Sequence, residues 1–503
     1  MEAISGAAVF CIWIILGLWL LTQINNVDYS VRGFAHYFDN ILKEEEILHL
    51  DELVEADEGL IKEEEVPESA EKFLENKLIE DHLQRRECQI DNPRKNGIVP
   101  RFHTNPEKFL IPVLAWGPNN QMRGFREALI LARKMNRTIC VPPFFKHHSD
   151  KSIQGGNVFV PPELRLDLGS LRSLTTTCEM SEIQEKCAGH IDAVLYARAA
   201  CSSHLADRLE IFREFTGLYP FLDANCGPRD GIPTFPKDFN GKMTSNLALD
   251  GNEHIHSLYP VQDARCVVWV FPYVQFNDFT NYLHAAWNGN ANKALKNPED
   301  LQFLKHMMQS TRRPPFIVKM IDRFMEKIVG GKRFIAVHYR FDTDDWMKHC
   351  KEKEDNKTCQ KVKEIMEDVP TALKHFVDYL EDQVLRHKIQ AVYVAVPLSE
   401  EQIRDGMKKM VKERLGADFP VWSSEDLFPF VYSLSCEKFS EHDIISTSEQ
   451  EICVRSTAFL RATPSSWSRN VFVERIVHPT AKKFAFHDDL LLNVLYKAKA
   501  VDL

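Results

Sequence analysis

Three short segments of the 503-residue chain combine polar side chains with backbone suited to holding an anion. The first is Trp116-Gly-Pro-Asn-Asn-Gln-Met-Arg-Gly-Phe125, a Gly-Pro-Asn-Asn turn between an apolar run and a helical pattern. Such a turn presents backbone N–H groups at a helix N-terminus, at the carboxyl end of a strand, where anionic or hydroxyl-rich ligands are held. Read alone, it is an ordinary strand-to-helix turn. The second is His338-Tyr-Arg340, two polar groups closing an apolar run. Alternation along a strand sends His338 and Arg340 to the same side. A guanidinium there can clamp a diphosphate and neutralise charge on a leaving group, or it can pair structurally with Asp342, Asp344 or Asp345. The third is Glu451-Ile-Cys-Val-Arg-Ser-Thr-Ala-Phe459, with Pro464-Ser-Ser-Trp-Ser468 behind it. Hydroxyls in loops donate to phosphate oxygens, although a Ser/Thr-rich stretch is most often only a loop.

Asp342-Thr-Asp344 adds a D-x-D pattern, which holds Mn²⁺ or Mg²⁺ in one class of nucleotide-sugar transferases and suits those hard cations. The pattern is unspecific in a chain with this much acid. With His338 and Arg340 beside it, a metal-free phosphate clamp is the more economical reading.

The elements that must position these groups alternate in type. Ile111–Trp116 reads as a strand, Arg123–Met135 as a helix and Ile139–Pro142 as a second strand, the opening of a β-α-β unit. Val267–Phe271 is a further strand. Arg312-Arg-Pro-Pro315 interrupts the helical pattern before it and marks the expected domain boundary. Beyond it come a helix (Ile317–Val329), a buried strand (Arg333–Arg340), a helix (Pro370–His387), a strand (Ala391–Val396), a helix (Ser399–Arg414) and the run Val421-Trp422. This alternation predicts the α/β class with parallel sheets, in domains 101–313 and 314–503.

The N-terminus bears on the compartment. Gly6–Ile24 is apolar and uncharged, and roughly 20 such residues cross a bilayer as a helix. Glu2 stands where a signal peptide carries basic residues, and Leu-Leu-Thr-Gln-Ile-Asn-Asn is a poor cleavage site, so residues 1–26 read as an uncleaved anchor. Residues 27–100 follow as an acidic, partly helical stem, with Glu44-Glu45-Glu46 and Glu63-Glu64-Glu65, to which no chemistry is assigned. Net charge is −10, from 62 Lys+Arg against 72 Asp+Glu, which argues against nucleic acid as a partner. Asn136-Arg-Thr138 and Asn356-Lys-Thr358 are glycosylation sequons. Eleven of the 12 cysteines lie beyond the anchor and none forms a C-x-x-C pair, so disulfides fit better than zinc. Cys178 with Cys187 and Cys350 with Cys359 are the expected local pairs, and Cys140 the expected buried free thiol. These features predict a single-pass type II protein of the Golgi or endoplasmic reticulum membrane, its globular part in the lumen.

Together and in this order, the three segments resemble the protein O-fucosyltransferase family and the wider group that includes the α1,6-fucosyltransferases. The family's G-x-x-N-Q turn, helix and N-R-T-x-x-V-P-P run look like Gly117-Pro-Asn-Asn120-Gln121 and Asn136–Pro143. Its H-x-R motif, with D-W and a cysteine beyond, resembles His338, Arg340, Asp345, Trp346 and Cys350. Its S-x-F and S-S-F elements resemble Ser456 to Phe459 and Ser465-Ser466-Trp467. The likeness runs from about Ile111 to Arg475.

The resemblance implies a GT-B fold: two Rossmann-like domains facing a cleft, 101–313 on the acceptor side and 314–503 on the GDP-fucose side. It further implies GDP-fucose as donor, inversion, no cofactor and no metal, with a protein Ser/Thr or glycan hydroxyl as acceptor. Arg340 would stabilise the leaving GDP, Asn120 would hold the fucose or diphosphate, and Ser465, Ser466 and Trp467 would line the β-phosphate. Gly117, Asn119, His338 and Asp345 complete the implied donor site. Glu127, a short helical step past the first motif, and Asp345 are the candidate general bases. Two positions depart from the family: Pro397-Leu398 stands where it usually places an acid near the guanine, and Trp467 replaces a Phe. Two other readings are a catalytically silent relative that binds glycans or assists folding, and a metal-dependent transferase using Asp342 and Asp344.

Overall fold

The computed structural model describes residues 97–114, 116–146, 159–196, 205–218, 242–245, 259–272, 298–340, 368–398, 400–432, 441–462, 465–478, 486–491 and 494. The expected anchor, the stem up to residue 96, Asp342, Asp344, Asp345, Trp346, Cys350, Asn356 and Cys359 lie outside them. Among the described residues no helix is long and apolar enough to cross a membrane. One compact unit comprises residues 89–150, 155–424 and 438–503; of the other, only residues 425–432 are described, containing the short helix Phe428–Tyr432.

The larger unit contains two parallel sheets. The first comprises β1 (Asn105–Val113), β2 (Arg137–Val141), β5 (Thr177–Glu179), β6 (Ala193–Tyr196), β7 (Lys242–Ser245) and β8 (Cys266–Val270), in the order β5-β2-β1-β8-β6-β7. Between β2 and β5, β3 (Phe144–Phe145) and β4 (Phe159–Val160) form a small antiparallel pair. The second sheet is β11-β10-β9-β12-β13, from β9 (Phe334–His338), β10 (Ala391–Ala395), β11 (Val421–Ser423), β12 (Ala458–Arg461) and β13 (Phe486–Leu490). The strands β2, β8, β9 and β10 are buried along their whole length, as parallel strands covered on both faces must be, and their Val, Ile and aromatic content suits that setting. The chain is therefore mixed α/β with parallel sheets, as expected.

The helices that matter for the site are α1 (Pro118–Lys134), α2 (Leu168–Leu174), α3 (Leu205–Thr216), α4 (Pro298–Ser310), α5 (Pro315–Phe324), α6 (Val369–His387), α7 (Glu401–Leu415), α8 (Glu441–Arg455) and α9 (Ser466–Val477). Helix α1 begins five residues before the expected Arg123, because Gly117 takes the extended N-cap conformation and Pro118 fills the first turn, where a missing N–H costs nothing. The third motif segment differs most from expectation. Glu451–Arg455 is the last turn of α8, and Ser466 starts α9. From Trp467 to Val477 only Arg469 escapes burial, so α9 shows no apolar stripe for a periodicity reading to find.

The disulfides correct the expected pairing. Cys140 bonds Cys178 and Cys187 bonds Cys266; Cys453 is the buried free thiol among the described residues. Cys140 and Cys178 are register partners across β2 and β5, so the sheet brings them within 4.4 Å between Cα atoms, while Cys187 is left to reach β8. Proximity in sequence was the wrong guide, because neighbours in a parallel sheet are distant along the chain.

Candidate functional site

In the first sheet the descending order β5-β2-β1 reverses between β1 and β8, and in the second the order β11-β10-β9 reverses between β9 and β12. Crevices beyond the carboxyl ends of strands at such points are where open α/β sheets bind ligands. The three motif segments leave the sheets at these two places.

At the second reversal, β9 ends in His338, which is 5% exposed. Its Nδ1 lies 2.6 Å from Ser468 Oγ, and its ring stacks on Trp467 with centroids 4.0 Å apart and planes at 23°. Ser468 Oγ accepts the Ala462 N–H at 3.0 Å. Burial first, and the Arg340 charge second, hold the imidazole pKa well below its usual value. The neutral ring can then accept the Ser468 hydroxyl proton at Nδ1 and carry its own at Nε2, the assignment that uses every group. Trp467 is fixed from its other end, since Nε1 donates to Ser446 Oγ at 2.9 Å. Ser465 caps α9 and accepts the Ser468 N–H at 3.4 Å. Arg340 stands two residues beyond His338, and Ser466 opens the helix; both are half-buried.

At the first reversal the backbone is strained. Trp116 and Phe271, following β1 and β8, have φ of 59° and 55°, left-handed values rare for aromatic residues, and their rings pack 5.9 Å apart. The Phe271 N–H donates to Val113 O at 2.9 Å, which ties the two exits together. Gln121 fixes the turn from inside. Its Nε2 donates to Trp116 O (2.6 Å) and Phe145 O (3.1 Å), and its Oε1 accepts the Phe145 N–H (2.8 Å). Gly124 then lets α1 lie against the Pro272 carbonyl, which a Cβ at that position would strike. Asn120 Oδ1 is buried and accepts no hydrogen bond among the described residues. Glu127 is fully buried one turn from Arg123, whose Nε it accepts at 3.2 Å.

Helices α8 and α9 join the two places. Gln450 Nε2 donates to Asn119 Oδ1 at 2.7 Å, and Asn470 Nδ2 donates to Asn119 O at 3.1 Å. Asn470 Oδ1 accepts from Arg126 of α1 at 3.2 Å. Arg126 also pairs with Glu474 at 2.7 Å, and Glu474 accepts from Arg313 Nη2 at 2.7 Å. Arg313 continues to Glu451 at 3.1 Å, which pairs in turn with Arg455. Burial alone would raise the Glu451 pKa, but Arg313 and Arg455 bring it below the usual carboxylate value. A cavity of about 20 Å³ lies among Asn119, Thr311, Arg313, Gln450, Asn470 and Glu474. It has room for one water and none for a nucleotide sugar.

Of the residues expected from sequence, the structure thus gathers Gly117, Asn119, His338, Ser465 and Trp467 into one connected arrangement, with Asn120, Arg340 and Ser466 next to them in the chain. Glu127 lies about two turns along α1 from Asn120, roughly 10 Å by helical rise, within an ion pair. Asn136 is exposed, with φ of 51° at the α1–β2 turn, and its Oδ1 accepts the Asn105 N–H. Sequence reasoning missed Ser468, Gln450, Asn470 and Glu474. The i, i+4 spacing of Asn470 and Glu474, which places them on one face of a helix, was the available signal.

Residues 114–478, well over half the chain, match the family described as GDP-fucose protein O-fucosyltransferase. Among solved structures, a crystal structure of POFUT1 in complex with GDP-fucose is similar at 13% identity and TM-score 0.46, covering 74% of this chain and 95% of that one. An Arabidopsis thaliana FUT1 mutant in complex with GDP gives 11% identity and TM-score 0.33, covering 80% and 77%. The fucosyltransferase NodZ from Bradyrhizobium gives 10% and 0.33, covering 73% and 93%. No curated protein sequence matches.

Proposed function

The chain belongs to the GDP-fucose protein O-fucosyltransferase family and is a fucosyltransferase; from that premise we propose that it transfers fucose from GDP-fucose to a protein or glycan hydroxyl, with inversion and without a metal. The observation that carries this reading is the His338–Ser468 contact with the Trp467 stack, which brings the end of β9 to the N-terminus of α9. Departure of GDP places negative charge on the β-phosphate. Arg340 neutralises that charge, and backbone N–H groups and the Ser465 hydroxyl at the start of α9 donate to the phosphate oxygens. A neutral His338 fits the same picture as a donor, with its Nε2 proton, that adds no net charge to the pocket. Asn120, whose Oδ1 accepts nothing among the described residues, faces the fucose or diphosphate. Its partner in the complex is the donor sugar.

Glu127 belongs with the structural ion pairs rather than with the chemistry, since its carboxylate is buried against Arg123. The two disulfides support an oxidising compartment. With the apolar run Gly6–Ile24 they favour a type II anchor in the Golgi or endoplasmic reticulum membrane. In the full-length chain, Arg340→Ala should slow GDP release from GDP-fucose about 10²–10³-fold, with the melting temperature retained and wild-type turnover insensitive to EDTA. Wild-type turnover in that variant would remove Arg340 from its role, and loss of turnover in EDTA would restore the Asp342/Asp344 reading.

A further inference from the structure

Asn119 and Asn120 are consecutive in the first turn of α1, yet their side chains are used in opposite ways. Asn120 Oδ1 is buried with no donor among the described residues. Both oxygens of Asn119 are engaged: its Oδ1 accepts from Gln450 at 2.7 Å and lies 3.5 Å from Asn470 Nδ2, and its carbonyl accepts from Asn470 at 3.1 Å. The residues that hold it are themselves held. Gln450 is 8% exposed and lies on α8 within 3.5 Å of Trp467 O. Asn470 is 6% exposed, and Arg126 fixes the orientation of its amide by donating to Oδ1. That bond turns Nδ2 toward Asn119, so the amide assignment follows from the network.

We propose that Asn119 is an anchor and not a donor contact, and that Gln450 and Asn470 are positioning residues that set the Gly117–Gln121 turn in register with the N-terminus of α9. The idea rests on the fucosyl-transfer reading for its consequence and on the hydrogen bonds alone for its geometry. One amide on each of two helices grips the residue next to Asn120. A helical turn so gripped cannot slide along the second sheet, and the distance from Asn120 to the phosphate-holding serines stays fixed. Misplacement of a reacting group by about 1 Å costs on the order of 10²-fold in rate, so two buried amides are enough to govern turnover without touching the donor.

The test uses the full-length chain carrying Asn470→Asp, Gln450→Glu or, as a variant of similar volume without new charge, Gln450→Met. Asn470→Asp keeps the oxygen that Arg126 grips and replaces the group facing the Asn119 carbonyl with a second oxygen. Hydrogen exchange of the amides in 117–122 should rise about tenfold in each variant, as expected for the loss of one hydrogen bond. The kcat for GDP release should fall about 10–100-fold, with KM for GDP-fucose changed less than about threefold. Unchanged exchange in 117–122 would overturn the anchor. So would a raised KM with kcat intact, which would make Asn119 a donor contact. Should the wild type neither bind nor turn over GDP-fucose in calorimetry and assay, the functional reading fails, and the exchange data still decide whether Gln450 and Asn470 hold Asn119.

Discussion

At the first strand-order reversal, between β1 and β8, the chain leaves the sheet through two aromatic residues in left-handed backbone. At the second, between β9 and β12, it leaves through a neutral histidine and a run of serines. The first exit is rigid because of steric and backbone contacts: the Trp116–Phe271 packing, the Gln121 clamp and the close approach at Gly124. The second is held by side-chain hydrogen bonds and carries groups that titrate. One place fixes where a helix points, and the other supplies the charges that helix must face. The difference teaches that a position at a sheet's reversal point does not dictate its chemistry. The residues that follow each strand do.

The comparison assumes that the two places are tied together, which Glu474 tests most severely. Glu474→Gln removes the carboxylate paired with Arg126 and one of the two paired with Arg313, and should cost about 3–5 kcal/mol in denaturant unfolding. A loss below about 1 kcal/mol would show that the buried charges do not join them. The steric character of the first exit predicts that Gly124→Ala destabilises by about 1–3 kcal/mol. Gly406→Ala, in α7 where the nearest atom to an added Cβ is Leu373 Cδ1 at 3.5 Å, should instead stabilise by about 0.5–1 kcal/mol. Matching signs for the two alanines would break the steric argument. The last test is the pH response of the second exit. The folded His338 pKa lies below its unfolded value, so below about pH 6.5 the unfolded chain binds the proton first. The stability this group supplies is complete above that pH and is lost as pH falls toward the folded pKa, at up to about 1.4 kcal/mol per pH unit. In melts between pH 7 and 5, His338→Asn should flatten that slope, and Trp116→Phe should leave it alone. An unchanged slope in His338→Asn would place the acid sensitivity elsewhere.

The central strands β2, β8, β9 and β10 and the body of α1 were legible because each carries its own signal, whereas β5, β6, β7, β12 and β13 were not. Runs such as Cys266–Val270 and Ala391–Ala395 are apolar throughout, and Arg123–Met135 carries a helical pattern, although the helix itself starts at Pro118. Helix α9 and the disulfides were not legible. A helix buried on every side has no polar face to set its period, and Cys187 pairs with a residue 79 positions away. The same limit hid the helical end of α8, where Glu451 and Arg455 look like loop residues until their partners Arg313 and Asp322 are seen.

By itself the sequence determined which groups are available to act: His338, Arg340, Asn120 and the serines after Pro464 sit at ends of elements whose limits are set by local residue type. The tertiary structure decided which neighbouring groups are already engaged with the protein. Asn119 and Asn120 are the same residue in the same turn, and only contacts from Gln450 and Asn470, 331 and 351 residues away, separate their roles. The physical reason is that a buried amide must find a partner, and which partner it finds depends on helices that come from distant parts of the chain.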